Sequence, residues 1–239
     1  MENTTLIALS RATALERKMQ VVANNVANMS TTGFKSESPL FVEMVEHPQE
    51  DERYSMVMDQ STLRDTSNGP INLTGNPLDV ALEGDGYFVL DTLNGPRYTR
   101  AGNFTMNDQR ELVNVNGLPV LDDNNSRITI PPNTTDIRIS PQGDVSTEQG
   151  VVGRLQVVKF DREQFMNQLG NGLYQTNEKP QAAEETVVRQ GFLEGSNVNS
   201  VMEMTDMISV NRQYQSIQNM LQSQHEMLRN AYTKLSRLS

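Results

Sequence analysis

The two ends of this 239-residue chain share one spacing of apolar side chains, and that spacing restricts the fold more than anything between them. From Ala8, the positions Ala12, Leu15, Met19, Val22, Val26 and Met29 follow in alternating steps of four and three. Met207, Val210, Tyr214, Ile217, Leu221, Gln224, Leu228, Ala231, Leu235 and Leu238 do the same at the other end. Such steps put side chains along one narrow line of a helix, as a coiled coil requires. An ordinary surface helix shows a broader apolar face. The spacing predicts two terminal helices paired as a coiled coil.

Helix boundaries are also written in the sequence. Gly33 in Ser30-Thr31-Thr32-Gly33-Phe34 suits the left-handed residue just past a helix end, with Phe34 and Met29 as the apolar pair of that cap. At the other end a helix starts near Asn199 or Ser200, where Ser200 and Glu203 match a capping box. It would run about 40 residues, roughly 60 Å at 1.5 Å per residue.

Residues 36–75 hold Pro39, Pro48, Pro70 and the acidic run Glu50-Asp51-Glu52 with little periodicity, and read as an extended arm or linker. From Leu78 to Phe160 short strands alternate with turn residues. Asn94-Gly95 and Asn116-Gly117 suit tight turns because φ > 0 costs them little. Val80–Leu82, Tyr87–Leu90, Ile128–Ile130, Ile137–Ile139 and Arg154–Phe160 are the expected strands. The expected fold is α+β: a helix in 1–35, an arm in 36–75, an antiparallel β domain in 76–190, and a second helix in 191–239.

Only 36% of residues are hydrophobic and 5% aromatic, with a mean hydropathy of -0.54, which is lean for one globule of this length. Part of the chain is therefore expected to pack against neighbouring molecules. The net charge of -10 is concentrated in the middle, since Arg11, Arg17, Lys18 and Lys35 outnumber Glu2 and Glu16 at one end. An acidic middle without interleaved basic and aromatic residues argues against nucleic acid. There is no cysteine, so disulfides and thiolate chemistry are excluded. No apolar run approaches the ~20 residues of a membrane span, and the start lacks the pattern of a cleavable signal.

Catalytic patterns are weak. His225-Glu226-Met227-Leu228-Arg229 begins like a zincin helix, but Arg229 stands where the second His ligand belongs. Asp122-Asp123-Asn124-Asn125-Ser126 begins like a calcium loop, but Arg127 replaces its glycine and Asn133 its closing Glu, leaving a polar turn. Glu83 and Asp85 sit in an expected turn. No cofactor, metal or enzymatic function is expected.

The run Ala23-Asn24-Asn25-Val26-Ala27-Asn28 stands out, because Asn is a mediocre helix former. Its amides either face water at a fraying helix end or bind other subunits.

With Met29-Ser30-Thr31-Thr32-Gly33-Phe34-Lys35 this run resembles the N-terminal signature of bacterial flagellar rod and hook proteins. Val26 and Met29 are mild departures from it. Gly75-Asn76-Pro77-Leu78-Asp79-Val80-Ala81-Leu82-Glu83-Gly84-Asp85-Gly86-Tyr87-Phe88 is similar to the entry to that family's β domain. Tyr98-Thr99-Arg100-Ala101-Gly102-Asn103-Phe104 and Gly195-Ser196-Asn197-Val198-Asn199 resemble its later blocks. The short length and the stretch Arg154 to Phe160 are most similar to proximal-rod members, with distal-rod members next.

The resemblance spans nearly the whole chain and implies a self-assembling subunit of the basal-body rod in the periplasmic space. It also implies export through the flagellar type III apparatus without signal cleavage, and copies of itself and other rod proteins as partners. Subunit contacts are then expected from Leu15, Met19, Val22, Asn24, Asn25, Val26, Asn28, Gly33 and Phe34. At the other end they are expected from Tyr214, Ile217, Leu221, Leu228 and Leu235. Narrow seams bury little surface alone, so both helices are expected to order fully on assembly. The rival expectation is a soluble β binding module dimerised by a coiled coil.

Overall fold

The computed structural model describes residues 2–49 and 52–235. They form an α+β chain with helices Glu2–Ala27 (α1) and Ser200–Leu235 (α2), and antiparallel strands between them. It divides into two compact units. One holds Met1–Ala27, Glu37–Arg64 and Asn199–Ser239; the other holds Asn28–Ser36 and Asp65–Val198.

In the first unit α1 and α2 run antiparallel. Thr5 Oγ1 donates to Gln224 Oε1 at 3.2 Å near one end, and Asn25 Nδ2 donates to Glu203 Oε1 at 3.1 Å near the other. The segment read as an arm of little periodicity is here a long hairpin, Glu37–Gln49 (β1) against Glu52–Arg64 (β2). Its register slips between Leu40 and Phe41, where Leu40 faces Ser61 but Phe41 faces Asp59, a bulge that breaks the alternation a strand normally shows. Two strands alone are marginal in water, and α1 packs along them.

Both helix ends differ in detail from expectation. α1 stops at Ala27, where the chain turns through a Thr31 N–H to Asn28 carbonyl bond. Gly33 does take a left-handed φ of 65°, but it lies beyond the helix and gives its N–H to the Glu194 carbonyl rather than back to α1. Phe34 is buried while Met29 is exposed, so they form no apolar cap. At α2 the capping side chain is Asn199, whose Oδ1 accepts the Met202 N–H at 3.2 Å. Glu203, expected to complete a box with Ser200, turns instead to Asn25.

The second unit is antiparallel throughout. Ile71–Leu73 (β3) pairs with Phe192–Glu194, and Val80–Glu83 (β4) with Val187–Gln190. A six-stranded sheet is centred on Tyr87–Leu90 (β5) and Arg97–Thr99 (β6), with Val157–Lys159 on the far side of β5 and Leu173–Gln175 beyond β6. β5 is apolar at every position because both of its faces are covered. Phe88 and Leu90 enter a core with Val80, Leu82, Phe104, Leu112 and Val120. Tyr87 and Val89 enter a second cluster in which Tyr98 and Phe160 meet edge to face, 4.7 Å between centroids.

Two expected strands come out differently. Ile128 and Ile130 are buried with Thr129 exposed, yet Thr129 makes only an isolated bridge to Glu111. Arg154–Phe160 is broken: Gly150–Arg154 belongs to a three-stranded sheet, and the chain rejoins the larger sheet at Val157. Asp122–Ser126 is a polar turn, with Asp122 Oδ1 accepting the N–H groups of Asn124 and Ser126.

Candidate assembly surface and a buried ionic node

Along α2 beyond the half-buried Ser200, the half-buried or buried side chains among those described are Glu203, Met207, Val210, Tyr214, Ile217, Leu221 and Gln224. Apart from Glu203, which takes the Asn25 amide, these are seam positions. Among the described side chains of α2 only Val210 is fully buried. Leu228 is exposed, and the side chain of Leu235 lies outside the described residues, as do Ala231 and Leu238. Val201, Met202, Met204 and Ile208 stand exposed outside the seam. α2 therefore has more apolar surface than its own chain covers.

α1 uses two stripes. Ala8, Ala12, Leu15 and Val22 of the seam are buried, and Met19 and Val26 half-buried. The second stripe meets the hairpin: Ser10 Oγ accepts the Val57 N–H at 3.4 Å, Ala14 and Val21 are buried, and Arg17 Nε pairs with Asp59 Oδ2 at 3.1 Å. Asn25 ends this stripe. Its Nδ2 donates to the Glu37 carbonyl at 2.8 Å and its Oδ1 accepts the Glu37 N–H at 3.0 Å, so the amide pairs with a strand backbone much as another strand would.

Asn25 is 1% exposed and is thus engaged within the chain. Burial pushes the Glu203 carboxyl up, and the Asn25 amide opposes that shift. Replacing Asn25 with Ala leaves the Glu37 N–H and carbonyl without this partner, at a cost of about 1–3 kcal/mol. The expected result is faster hydrogen exchange at the Glu37 amide with unchanged exchange at Leu112 and Val120.

Asn24 is exposed and Asn28 half-buried, accepting from Thr31 Oγ1 at 3.1 Å. Gly33 and Phe34 are buried in the second unit. Of the expected subunit contacts, then, Leu15, Val22, Asn25, Gly33 and Phe34 are buried within this chain itself.

Sequence reading did not anticipate the charged node beside Gly33. Lys35, Arg100 and Glu194 are 3%, 3% and 1% exposed. Lys35 Nζ meets Glu194 Oε1 at 2.8 Å and also donates to the Ser67 carbonyl at 2.8 Å. Arg100 Nε meets Glu194 Oε2 at 2.5 Å, while its terminal nitrogens donate to the carbonyls of Leu82, Gly84 and Gly86 and to Asn68 Oδ1. The Gly69 N–H completes the set on Glu194 Oε1 at 2.9 Å. Burial pushes the Lys35 ammonium below its ordinary value, and Glu194 opposes that. The signal was available: Lys35 and Arg100 each stand inside a glycine-containing block, and Glu194 stands directly before Gly195.

Among the described residues no group of three or more His, Cys, Asp or Glu side chains could hold a metal ion. No described helix is long and apolar enough to cross a membrane.

Three family models match the chain. Residues 6–35 match "Flagella basal body rod protein", 81–147 "Flagellar hook protein FlgE/F/G D1 domain", and 189–233 "Flagellar basal body rod FlgEFG protein C-terminal". The flagellar basal-body rod protein FlgF of Caulobacter vibrioides is 36% identical over the whole of both chains. The chain belongs to the flagellar basal-body rod protein family. This rod-family chain is also 34% identical to FlgF of Mesorhizobium japonicum over 90% of each chain, and 31% identical to the rod protein FlgG of Bacillus subtilis over 89% of this chain and 91% of that one. The family is a structural component of the flagellum. Lys35 lies inside one matched segment, Arg100 inside a second and Glu194 inside the third, so the node joins the three.

Proposed function

We propose that this chain is a structural subunit of the proximal rod of the flagellar basal body, stacking helically with copies of itself and with other rod proteins across the periplasm. In this reading α1 and α2 pair as an antiparallel coiled coil whose uncovered surfaces meet neighbouring subunits, and the chain leaves the cytoplasm through the flagellar type III export apparatus. The observation that carries it is α2: thirty-six residues with the seam half-buried and Val201, Met202, Met204 and Ile208 exposed. Apolar surface left uncovered on a long helix calls for a partner. Repetition of one heterologous contact gives an open filament rather than a closed pair. The two FlgF relatives named above match at 36% and 34%, against 31% for FlgG of Bacillus subtilis, which favours the proximal position.

The test is Leu221→Asp. A carboxylate in the seam costs about 1–3 kcal/mol or more in desolvation, enough for a tenfold or greater loss of incorporation into isolated basal bodies. The second unit should melt unchanged. Normal incorporation of the variant would remove the seam from the assembly surface.

A further inference from the structure

Three separated passages of chain meet in the second unit. Asn197 Oδ1 accepts the Ser36 N–H at 2.7 Å, and its Nδ2 donates to the carbonyls of Asp65 at 3.0 Å and Ser67 at 3.1 Å. The Asn197 N–H goes to the Phe34 carbonyl at 3.3 Å, and the Asp65 N–H to the Ser36 carbonyl at 2.9 Å. Below this lies Glu194, which takes Lys35 from the first passage and the Gly69 N–H from the second. Its own carbonyl accepts the Gly33 N–H at 2.9 Å. Gly195 closes against the second passage through its N–H to the Pro70 carbonyl at 2.8 Å.

These partners are far apart in sequence, so no local turn accounts for them. Surface loops usually leave such backbone groups to water. Here one amide and one carboxylate satisfy them, and each bonds to both of the other two passages. Each passage also continues into the first unit: Ser36 is followed by Glu37, Asp65 is preceded by Arg64, and Val198 is followed by Asn199. Arg100, bound to Glu194 and to the Leu82, Gly84 and Gly86 carbonyls, fixes the assembly to the body of the β domain.

We propose that Asn197 and Glu194 form a latch binding residues 33–36, 65–70 and 194–197 into a single root, so that load arriving along one passage is shared by all three. Asn197 and Glu194 are positioning residues in this device. The mechanical consequence rests on the rod reading above; the latch itself does not.

The experiment is native-state hydrogen exchange on the full-length chain, paired with swimming of cells carrying each variant as their sole copy. In Asn197→Ala the Ser36 amide loses its acceptor, and its exchange should accelerate about tenfold or more, the equivalent of one hydrogen bond. The Asp65 amide should follow, while Leu112 and Val120 in the core stay unchanged. Asn197→Asp retains the acceptor for Ser36 and loses both donors to the Asp65 and Ser67 carbonyls, so Ser36 should keep the protection that Asn197→Ala removes. Unchanged protection at Ser36 and Asp65 in Asn197→Ala would overturn the latch.

Cells carrying Asn197→Ala are expected to lose more swimming speed in viscous medium than in buffer. Equal loss in both media, with protection at Ser36 gone, would overturn load sharing and leave the latch standing. Absence of the wild-type chain from isolated basal bodies would overturn the rod reading and leave the exchange result intact.

Discussion

Replacing Glu194 with Ala is expected to unfold the second unit at markedly lower denaturant, with a loss of about 3–5 kcal/mol, the usual cost of removing one partner from a buried ion pair. Glu194 is held directly against two buried cations, Lys35 and Arg100. Removing it takes the directly paired carboxylate from both charges and the acceptor from the Gly69 N–H. Lys35 has an escape, since a buried ammonium can lose its proton. A guanidinium has no such escape. Arg100 keeps its carbonyl partners, which limits the damage without cancelling it.

A pH dependence follows from the lowered value of Lys35. Between that value and the ordinary 10.5, the unfolded chain holds the proton that the folded chain has released. The cost of burying the ammonium is fully present below the folded value and is relieved as pH rises towards 10.5. Glu194 is the largest influence holding Lys35 charged. Without it the window widens downward, so Glu194→Ala should regain stability on raising the pH more steeply than the wild type does. Equal slopes in urea titrations across that range would show that Lys35 is not the group in distress.

The seam of α2 was legible because packing and sequence share one period. Met207, Val210, Tyr214, Ile217 and Leu221 are apolar at the steps of three and four where the helix is covered. The second stripe of α1 was not legible. Ser10, Ala14 and Arg17 meet the hairpin through a hydroxyl, a methyl and a guanidinium, none of which a hydrophobic pattern detects. The hairpin was hidden for a related reason. The bulge at Leu40/Phe41 shifts its alternation, and Leu40, Val42, Met58 and Leu63 remain partly exposed although apolar. The β domain was legible wherever a turn demanded its residue, as at Gly95 and Gly117, and failed where isolated bridges replaced ladders, as at Thr129. The node was visible as residues but not as an arrangement. Lys35, Arg100 and Glu194 come from three distant blocks, and only the folded chain shows that they share one carboxylate.

Gly33→Ala is expected to cost about 3 kcal/mol or more, against about 1 kcal/mol for the matched change Gly117→Ala. Both glycines have left-handed φ, 65° and 78°, so both substitutions carry the strain of an L-residue in that region, about 1–2 kcal/mol. They differ in what the new methyl group meets. At Gly117 there is nothing within 4 Å. At Gly33 a Cβ would lie 2.6 Å from the Arg100 carbonyl carbon and 2.8 Å from both the Arg100 oxygen and the Ala101 nitrogen. These are backbone atoms of the strand exit that aims Arg100 at Glu194, so no side chain can swing aside to make room. Relief requires moving residues 31–35 away from Arg100. That movement strains the Gly33 N–H bond to the Glu194 carbonyl and pulls Lys35 off the carboxylate. The expected signature in paired denaturant titrations is a large drop for Gly33→Ala and a small one for Gly117→Ala. In the first variant only, exchange at the Gly69 amide should also accelerate, because its acceptor is the same carboxylate. Equal, small losses at both positions would mean that strain in φ is the whole effect and that residues 31–35 can step back from Arg100 without disturbing the node.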